Sequence, residues 1–439
     1  MLILKKINSF VLYFLISAPV VFLLFNKYPY FQILSILLLL IISFIFFLLK
    51  FTYVQNNRDI LFLLIIIYLY LIFSYFLSGQ TLQNFFLYRF LRYDGNFFFC
   101  YIMFFVFSIP FFDYKKALNL YFKFTFFTFT VLSLFGFTEY LFEKTAFTIQ
   151  KDTYAGKFFH AFNVTHNATG SVYSIACIFA LVFFLREKNF YKKIGYIFIL
   201  ASCMLGLFIT KSRGSYVGFA VALIFILWMN YRSVKKFFIS VVIIFAGSIP
   251  FLYITGAYKR IFQIFDFKAT TTIRFDLWER AWSLFSQSPI FGVGFGRYND
   301  IFENSRLQGI RGLINIYRDP NFAINDAHAH NAYLQFLSET GVLGLFLLLL
   351  FWFLCFYKIN RAFINAENEF SKKAYLSSLG AIISLLTISL TENYLSATTV
   401  MICVSIIIAL CLGLIWQNNK EKFCNQNKVG GQNLKNENN

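Results

Sequence analysis

Ionised side chains are scarce in this chain. Only 13% of its 439 residues are Asp, Glu, Lys or Arg, about half the share found in soluble domains, which excludes an ordinary water-soluble fold. Acid is scarcer than base, with 20 Asp and Glu against 39 Lys and Arg. The segments assigned below to the outer face hold no Asp-x-Asp and no adjacent carboxylate pair, so they have no evident means of fixing a divalent ion beside a diphosphate. The seven cysteines (Cys100, Cys177, Cys203, Cys355, Cys403, Cys411 and Cys424) fall in apolar runs or in the tail, which leaves no disulfide framework for an outer domain. No internal repeat and no matched pair of broken helices points to a transporter. No small-residue cleavage site follows Lys5 and Lys6, so the first apolar run is read as an uncleaved span.

Apolar residues fill the space that charge leaves. Hydrophobic residues make up 59% of the chain, with 64 Phe and 27 Tyr. About 20 apolar residues cross the hydrocarbon layer as a helix. Runs of that kind predict about twelve spans, at 8–25, 31–50, 59–78, 96–112, 117–142, 168–186, 194–210, 215–230, 236–255, 339–357, 374–391 and 397–416. With the N-terminus inside, the inner segments carry 21 Lys and Arg and the short outer loops carry 8. That bias places both termini inside and the one long loop outside. It also explains the net charge of +19 through contact with anionic membrane lipids, and no nucleic-acid partner is needed. The expected fold is all-α and polytopic, with a large, partly helical outer loop between spans nine and ten. Its expected divisions are a five-span scaffold (1–142), spans six to nine with an outer turn at 211–214 (143–255), the outer loop (256–338), spans ten to twelve (339–416) and a disordered tail (417–439).

The loop carries the unusual residues. Residues 256–338 hold seven of the fourteen arginines and two of the four histidines, although lysine outnumbers arginine 25 to 14 overall. Thr270-Thr271-Thr272 reads as a cap run before a helix whose apolar stripe is Ile273, Leu277, Trp278, Ala281, Trp282 and Phe285, with Arg274 on the same face. Ser288-Pro289 ends that helix. Phe291-Gly292-Val293-Gly294-Phe295-Gly296-Arg297 lacks both the preceding strand and the glycine spacing of a dinucleotide fingerprint and is read as a tight aromatic-glycine turn.

All four histidines, His160, His166, His328 and His330, fall on the outer side in this topology. His328-x-His330 stands alone, without the third ligand or the spacing of a zinc site, so no metal is expected. Arginine suits a diphosphate because it stays charged and presents a planar fork to phosphate oxygens. Arg213 occupies a short outer turn, Thr210-Lys211-Ser212-Arg213-Gly214, against the inward bias of basic residues. A neutral imidazole such as His330, with Asn331 able to cap the next helix, is suited to act as a general base near neutral pH.

These residues resemble the O-antigen ligase family of bacterial inner-membrane proteins, within the group that also holds O-antigen polymerases and protein O-oligosaccharyltransferases. The resemblance rests on Ser212-Arg213-Gly214, on Ile273-Arg274 through Trp278 and Trp282 to Pro289-Ile290-Phe291-Gly292-Val293-Gly294, and on His330-Asn331-Ala332-Tyr333-Leu334 through Glu339-Thr340-Gly341-Val342-Leu343-Gly344. It spans roughly 160–345. It implies a GT-C-like fold and a metal-independent, inverting glycosyl transfer on the periplasmic face, without a cofactor. The implied donor is a glycan on undecaprenyl diphosphate and the implied acceptor a lipid A-core sugar. Arg213 and Arg274 would bind the diphosphate and His330 would deprotonate the acceptor. Lys211, His166, Asn167, Arg280, Arg297, His328 and Asn331 are expected nearby as substrate-binding residues. A lipid-linked glycan flippase is the reading from a different class, and it would need ionisable residues deep in several spans.

Overall fold

The computed structural model describes residues 57–79, 97, 100–101, 104, 113–142, 149–152, 156–159, 165–231, 233–265, 267–298 and 328–436. The expected spans at 8–25 and 31–50, most of 96–112, His160 and loop residues 299–327 lie outside the described residues. The elements are helices α1 (Arg58–Leu77) and α2 (Tyr114–Leu141), strands β1 (Ile149–Asp152) and β2 (Gly156–Phe159), then helices α3 (His166–Arg186), α4 (Phe190–Ile209), α5 (Arg213–Asn230), α6 (Val234–Ile254), α7 (Ala257–Phe265), α8 (Phe267–Gln287), α9 (Ala332–Ile364), α10 (Glu369–Ile388) and α11 (Thr398–Asn436). Eight of the described helices are long and apolar enough to cross a membrane: α1 to α6, α9, and α11 over Thr399–Lys422. The run expected at 374–391 is helical as α10, which is rich in serine and carries Lys372 and Lys373 near its start.

Helix α3 is buried from Ala168 to Phe183 and α11 from Thr399 to Leu414, as helices at the centre of a bundle must be. Helix α6 is the reverse case: of its 21 residues only Ser248 is buried, so its apolar surface faces outward. Small side chains let α3 and α5 approach closely. A Cβ on Gly170 would come within 2.8 Å of Ser212 and Ser215, and Ser215 Oγ lies 3.2 Å from Ser171 Oγ. This is the packing by small and hydroxyl residues that membrane helices use when lipid gives no hydrophobic drive for association.

The fold is all-α as expected, with one short antiparallel hairpin formed by Ile149–Asp152 and Gly156–Phe159. Three expectations are corrected. Helix α8 starts at Phe267, so Thr270-Thr271-Thr272 lies within it and does not cap it. No glycine or proline interrupts 257–288, so nothing stops the helix from starting earlier. The buried stripe of α8 is Leu277, Arg280, Ala281 and Leu284, while Trp282 is 58% exposed. The stripe is therefore turned from the expected one, toward Tyr298 and Ala329. The tail continues as helix through Asn436. Its start is anchored by Gln417 Oε1, which accepts from Tyr114 N, and by Asn418 Nδ2, which donates to Tyr375 Oη.

The aromatic-glycine turn locks into a break in α9. Gly341 there has φ 66° and ψ −172°, which stops the helical ladder and frees carbonyls that lipid cannot satisfy. The turn supplies the donors: Val293 N donates to Ser338 O (3.0 Å) and Gly294 N to Glu339 O (2.9 Å), while Val342 N donates back to Pro289 O (2.9 Å). The Glu339 carboxylate accepts from Gly296 N and Tyr298 N. The residues before the break, 332–340, thus belong with the loop, and the span proper begins after Gly341.

A Cβ on Gly341 would collide with the Ile290 carbonyl, and its positive φ disfavours any L side chain. Gly341→Ala is expected to cost at least about 2 kcal/mol, read as a lowered Tm in detergent. The control Gly247→Ala, in open space within α6, should be neutral or stabilising by up to about 1 kcal/mol. Equal Tm values for the two variants would contradict this account of the break.

Candidate functional site

Three helix starts meet at one end of the bundle, around the turn 389–397 that joins α10 to α11. The start of α3 reaches it through Asn167, whose Nδ2 donates to Glu392 Oε1 at 3.1 Å. The start of α5 abuts it, because Gly214 packs directly on Thr391. The start of α9 is tied to it by Ala332 N donating to Ser389 O at 2.9 Å. Free N–H groups and aligned peptide dipoles give each helix start a partial positive charge, so this end of the protein favours an anion.

Glu392 fills that role within the fold. Its side chain is only 9% exposed, and each oxygen has its own partners. Oε1 accepts from Arg274 Nη2 at 3.0 Å and from Asn167; Oε2 lies 2.8 Å from His330 Nδ1 and 3.6 Å from His328 Nε2. Burial by itself would raise its pKa. The hydrogen bonds from His328 and His330, with the charges of His330 and Arg274, outweigh burial and hold the carboxyl well below the usual carboxylate range. An ionised carboxylate only accepts, so His330 Nδ1 must carry the hydrogen. In the neutral ring Nε2 is then the basic nitrogen.

Local structure fixes His330 at this point. Its φ is +47°, a left-handed conformation that histidine adopts more readily than most residues. Asn331 follows as the cap of α9, with Oδ1 accepting from Tyr333 N and Leu334 N. Ala329, between the two histidines, is wholly buried with Leu284, Ala281 and Tyr298. Arg274 lies three residues before Leu277, so it continues the buried stripe of α8 toward Glu392.

Arg213 opens α5, and the positive charges of Arg260 and Arg274 reach it. These residues bring a group of arginines to the same end as the two histidines. The other expected residues divide. His166 Nδ1 donates to Thr210 O at 3.0 Å, and Lys211, also with positive φ, places Nζ 5.9 Å from the Tyr140 ring. Both stand beside the Arg213 turn. Arg280 is buried over the Tyr298 ring, and Arg297 Nη1 donates to Ser78 O. Those two contacts brace the loop.

Sequence reasoning missed Glu392 and gave Arg260 no role beyond the general arginine excess. Glu392 did leave a trace, as a lone acid in the short outer turn between two predicted spans, on the side that holds every histidine. It also supplies the third donor that the His328-x-His330 pair lacked: His328, His330 and Glu392 offer ligand atoms all within 4.8 Å of one another. The premise on which a metal was excluded is therefore corrected.

Fold and site together define a multi-pass helical membrane protein with an arginine, histidine and carboxylate cluster at one end of its bundle. Residues 196–349 match the family model described as O-Antigen ligase, so over that stretch the chain is similar to this family. The matched stretch includes Arg213, Arg260, Arg274, His328 and His330 but stops short of Glu392. No curated protein matches the chain.

The depressed pKa of Glu392 makes a stability prediction. The folded protein binds fewer protons at this group than the unfolded chain. The stabilisation is therefore complete above the ordinary Glu range near pH 4.3 and is lost as pH falls toward the lower folded value. Glu392→Gln should lower Tm at neutral pH, with the gap to wild type shrinking as pH falls below about pH 4. A gap that widens in acid would contradict the assignment.

Proposed function

We propose that this chain is an O-antigen ligase-type glycosyltransferase. In this reading it moves a glycan from undecaprenyl diphosphate to a lipid A-core sugar on the periplasmic face of the bacterial inner membrane, with both termini in the cytoplasm. The observation that carries the reading is the shared carboxylate. One Glu392 side chain bonds His330 through one oxygen and Arg274 through the other, beside the turn that bears Arg213. A proton acceptor and fixed positive charge therefore stand next to each other, as transfer from a diphosphate donor requires.

His330 Nε2 takes the proton of the acceptor hydroxyl, and the oxygen attacks the anomeric carbon from the face opposite the diphosphate. The bond from that carbon to the diphosphate oxygen breaks with inversion. The electron pair leaves on the diphosphate, where Arg213 and Arg274 meet the developing charge, with Arg260 close by and the helix starts adding their dipoles. A diphosphate leaves without a general acid, so a single base suffices. Glu392 keeps the His330 hydrogen on Nδ1 and stabilises the imidazolium as it forms. Lys211, His166, Asn167, His328 and Asn331 line the approach for donor and acceptor.

Purified protein given an undecaprenyl-diphosphate glycan and lipid A-core should form the glycosylated core. Arg213→Ala and Arg274→Ala should each lower the rate by about 10²–10³-fold, and His330→Ala by about 10²–10⁴-fold. Full activity of His330→Ala would end the proposal and return a flippase to consideration. In cells, loss of the gene should abolish every ladder band of lipopolysaccharide. Core bearing a single repeat would instead identify a polymerase, and loss of glycoprotein bands a protein glycosylating enzyme.

A further inference from the structure

The same cluster has the composition of a metal site. Two imidazoles and one carboxylate make up a donor set used for zinc, with a fourth position open to water. Bonds of about 2.0–2.1 Å in a tetrahedron put donor atoms roughly 3.4 Å apart. Glu392 Oε2 stands 2.8 Å from His330 Nδ1 and 3.6 Å from His328 Nε2, which brackets that spacing. All three donor atoms lie within 4.8 Å of one another, so the side chains close in on the ion to reach that spacing. The two rings lie 4.1 Å apart between centroids and are tilted by 37° to one another, so both imidazoles stand beside Glu392.

The surroundings support the donors. Arg274 and Asn167 both bond Glu392 Oε1, so Oε2 is the oxygen turned to the histidines, held by outer partners as metal-ligating carboxylates usually are. Exposures of 19% for His328 and 35% for His330 leave the site reachable from solvent. Two imidazoles select zinc or another late transition metal over magnesium or calcium. The neighbouring arginines oppose a cation, so binding should be reversible and weaker than in a structural zinc site.

We infer that His328, His330 and Glu392 form an inhibitory Zn²⁺ site overlapping the proposed base. Zinc replaces the proton shared by His330 Nδ1 and Glu392 Oε2, and that proton leaves to solvent. The ring then carries a metal where it needs the carboxylate, and Nε2 loses basicity beside a dication. The inhibitory half of this inference rests on the function proposed above; the binding half does not.

The test uses full-length protein in detergent, purified on a tag without histidine, with Zn²⁺ binding measured by competition with a chromophoric chelator. One equivalent of zinc should bind. His328→Ala and Glu392→Gln, each checked for an intact fold by its elution profile and Tm, should weaken binding at least about tenfold. Cobalt in place of zinc should give the intense visible absorption of a tetrahedral site, and His328→Ala should lose it. Zinc at concentrations that fill the site should suppress glycan transfer, and EDTA should restore it, with magnesium having no effect. Equal zinc affinity in wild type and both variants would overturn the site. Stoichiometric zinc binding without loss of transfer would overturn the inhibition, and with it the role of His330 as base.

Discussion

A buried carboxylate in a protein that carries a large excess of base must be held by several partners at once, and Glu392 is held by four. Burial alone would protonate it or force it out. Arg274, Asn167, His328 and His330 keep it ionised, and each of them is fixed in turn by it. These residues come from α8, from the start of α3 and from the segment before α9, elements that are far apart in sequence. The turn between α10 and α11 thus ties together much of this end of the molecule. Removing the carboxylate would leave cations and imidazoles crowded at helix starts that already repel positive charge.

The rest of the architecture serves to place those partners. Serine and glycine contacts seat α3 against α5 and bring Asn167 and the Arg213 turn side by side. The glycine turn at 292–296 docks into the break at Gly341, which holds the first turns of α9, and so His330, on the loop side of the bundle. The buried stripe of α8 closes over Ala329 and directs Arg274 inward. Because the supporting contacts are backbone hydrogen bonds and close packing, the geometry has little freedom to relax. A site that must orient a proton acceptor against fixed charge gains rate from such rigidity.

Much of this could be read from the sequence. Apolar runs of span length located every described helix of the bundle, and the Gly-rich segment was recognised as a turn. The arginine excess and the two histidines point to the same end of the bundle at which Glu392 lies. The failures have physical causes. Trp282 counts as apolar in a periodic pattern, but Arg280 takes the buried position because its guanidinium finds the Tyr298 ring. The tail is polar by composition, yet Gln417 and Asn418 anchor its start to α2 and α10. Glu392 was passed over because its importance depends on long-range convergence, and one acid in a five-residue turn carries no local pattern. The third donor beside the His328-x-His330 pair escaped notice for the same reason, since it lies 62 residues from His330.

The most direct measurement of the central claim is a double-mutant cycle on transfer rate, using wild type, Glu392→Gln, His330→Ala and the double variant under saturating donor and acceptor. If the carboxylate acts through the imidazole, adding Glu392→Gln to His330→Ala will cost little further rate, and the coupling will account for most of the loss in Glu392→Gln. Independent losses that multiply in the double variant would show that Glu392 and His330 do not work as one unit, and the account would fail.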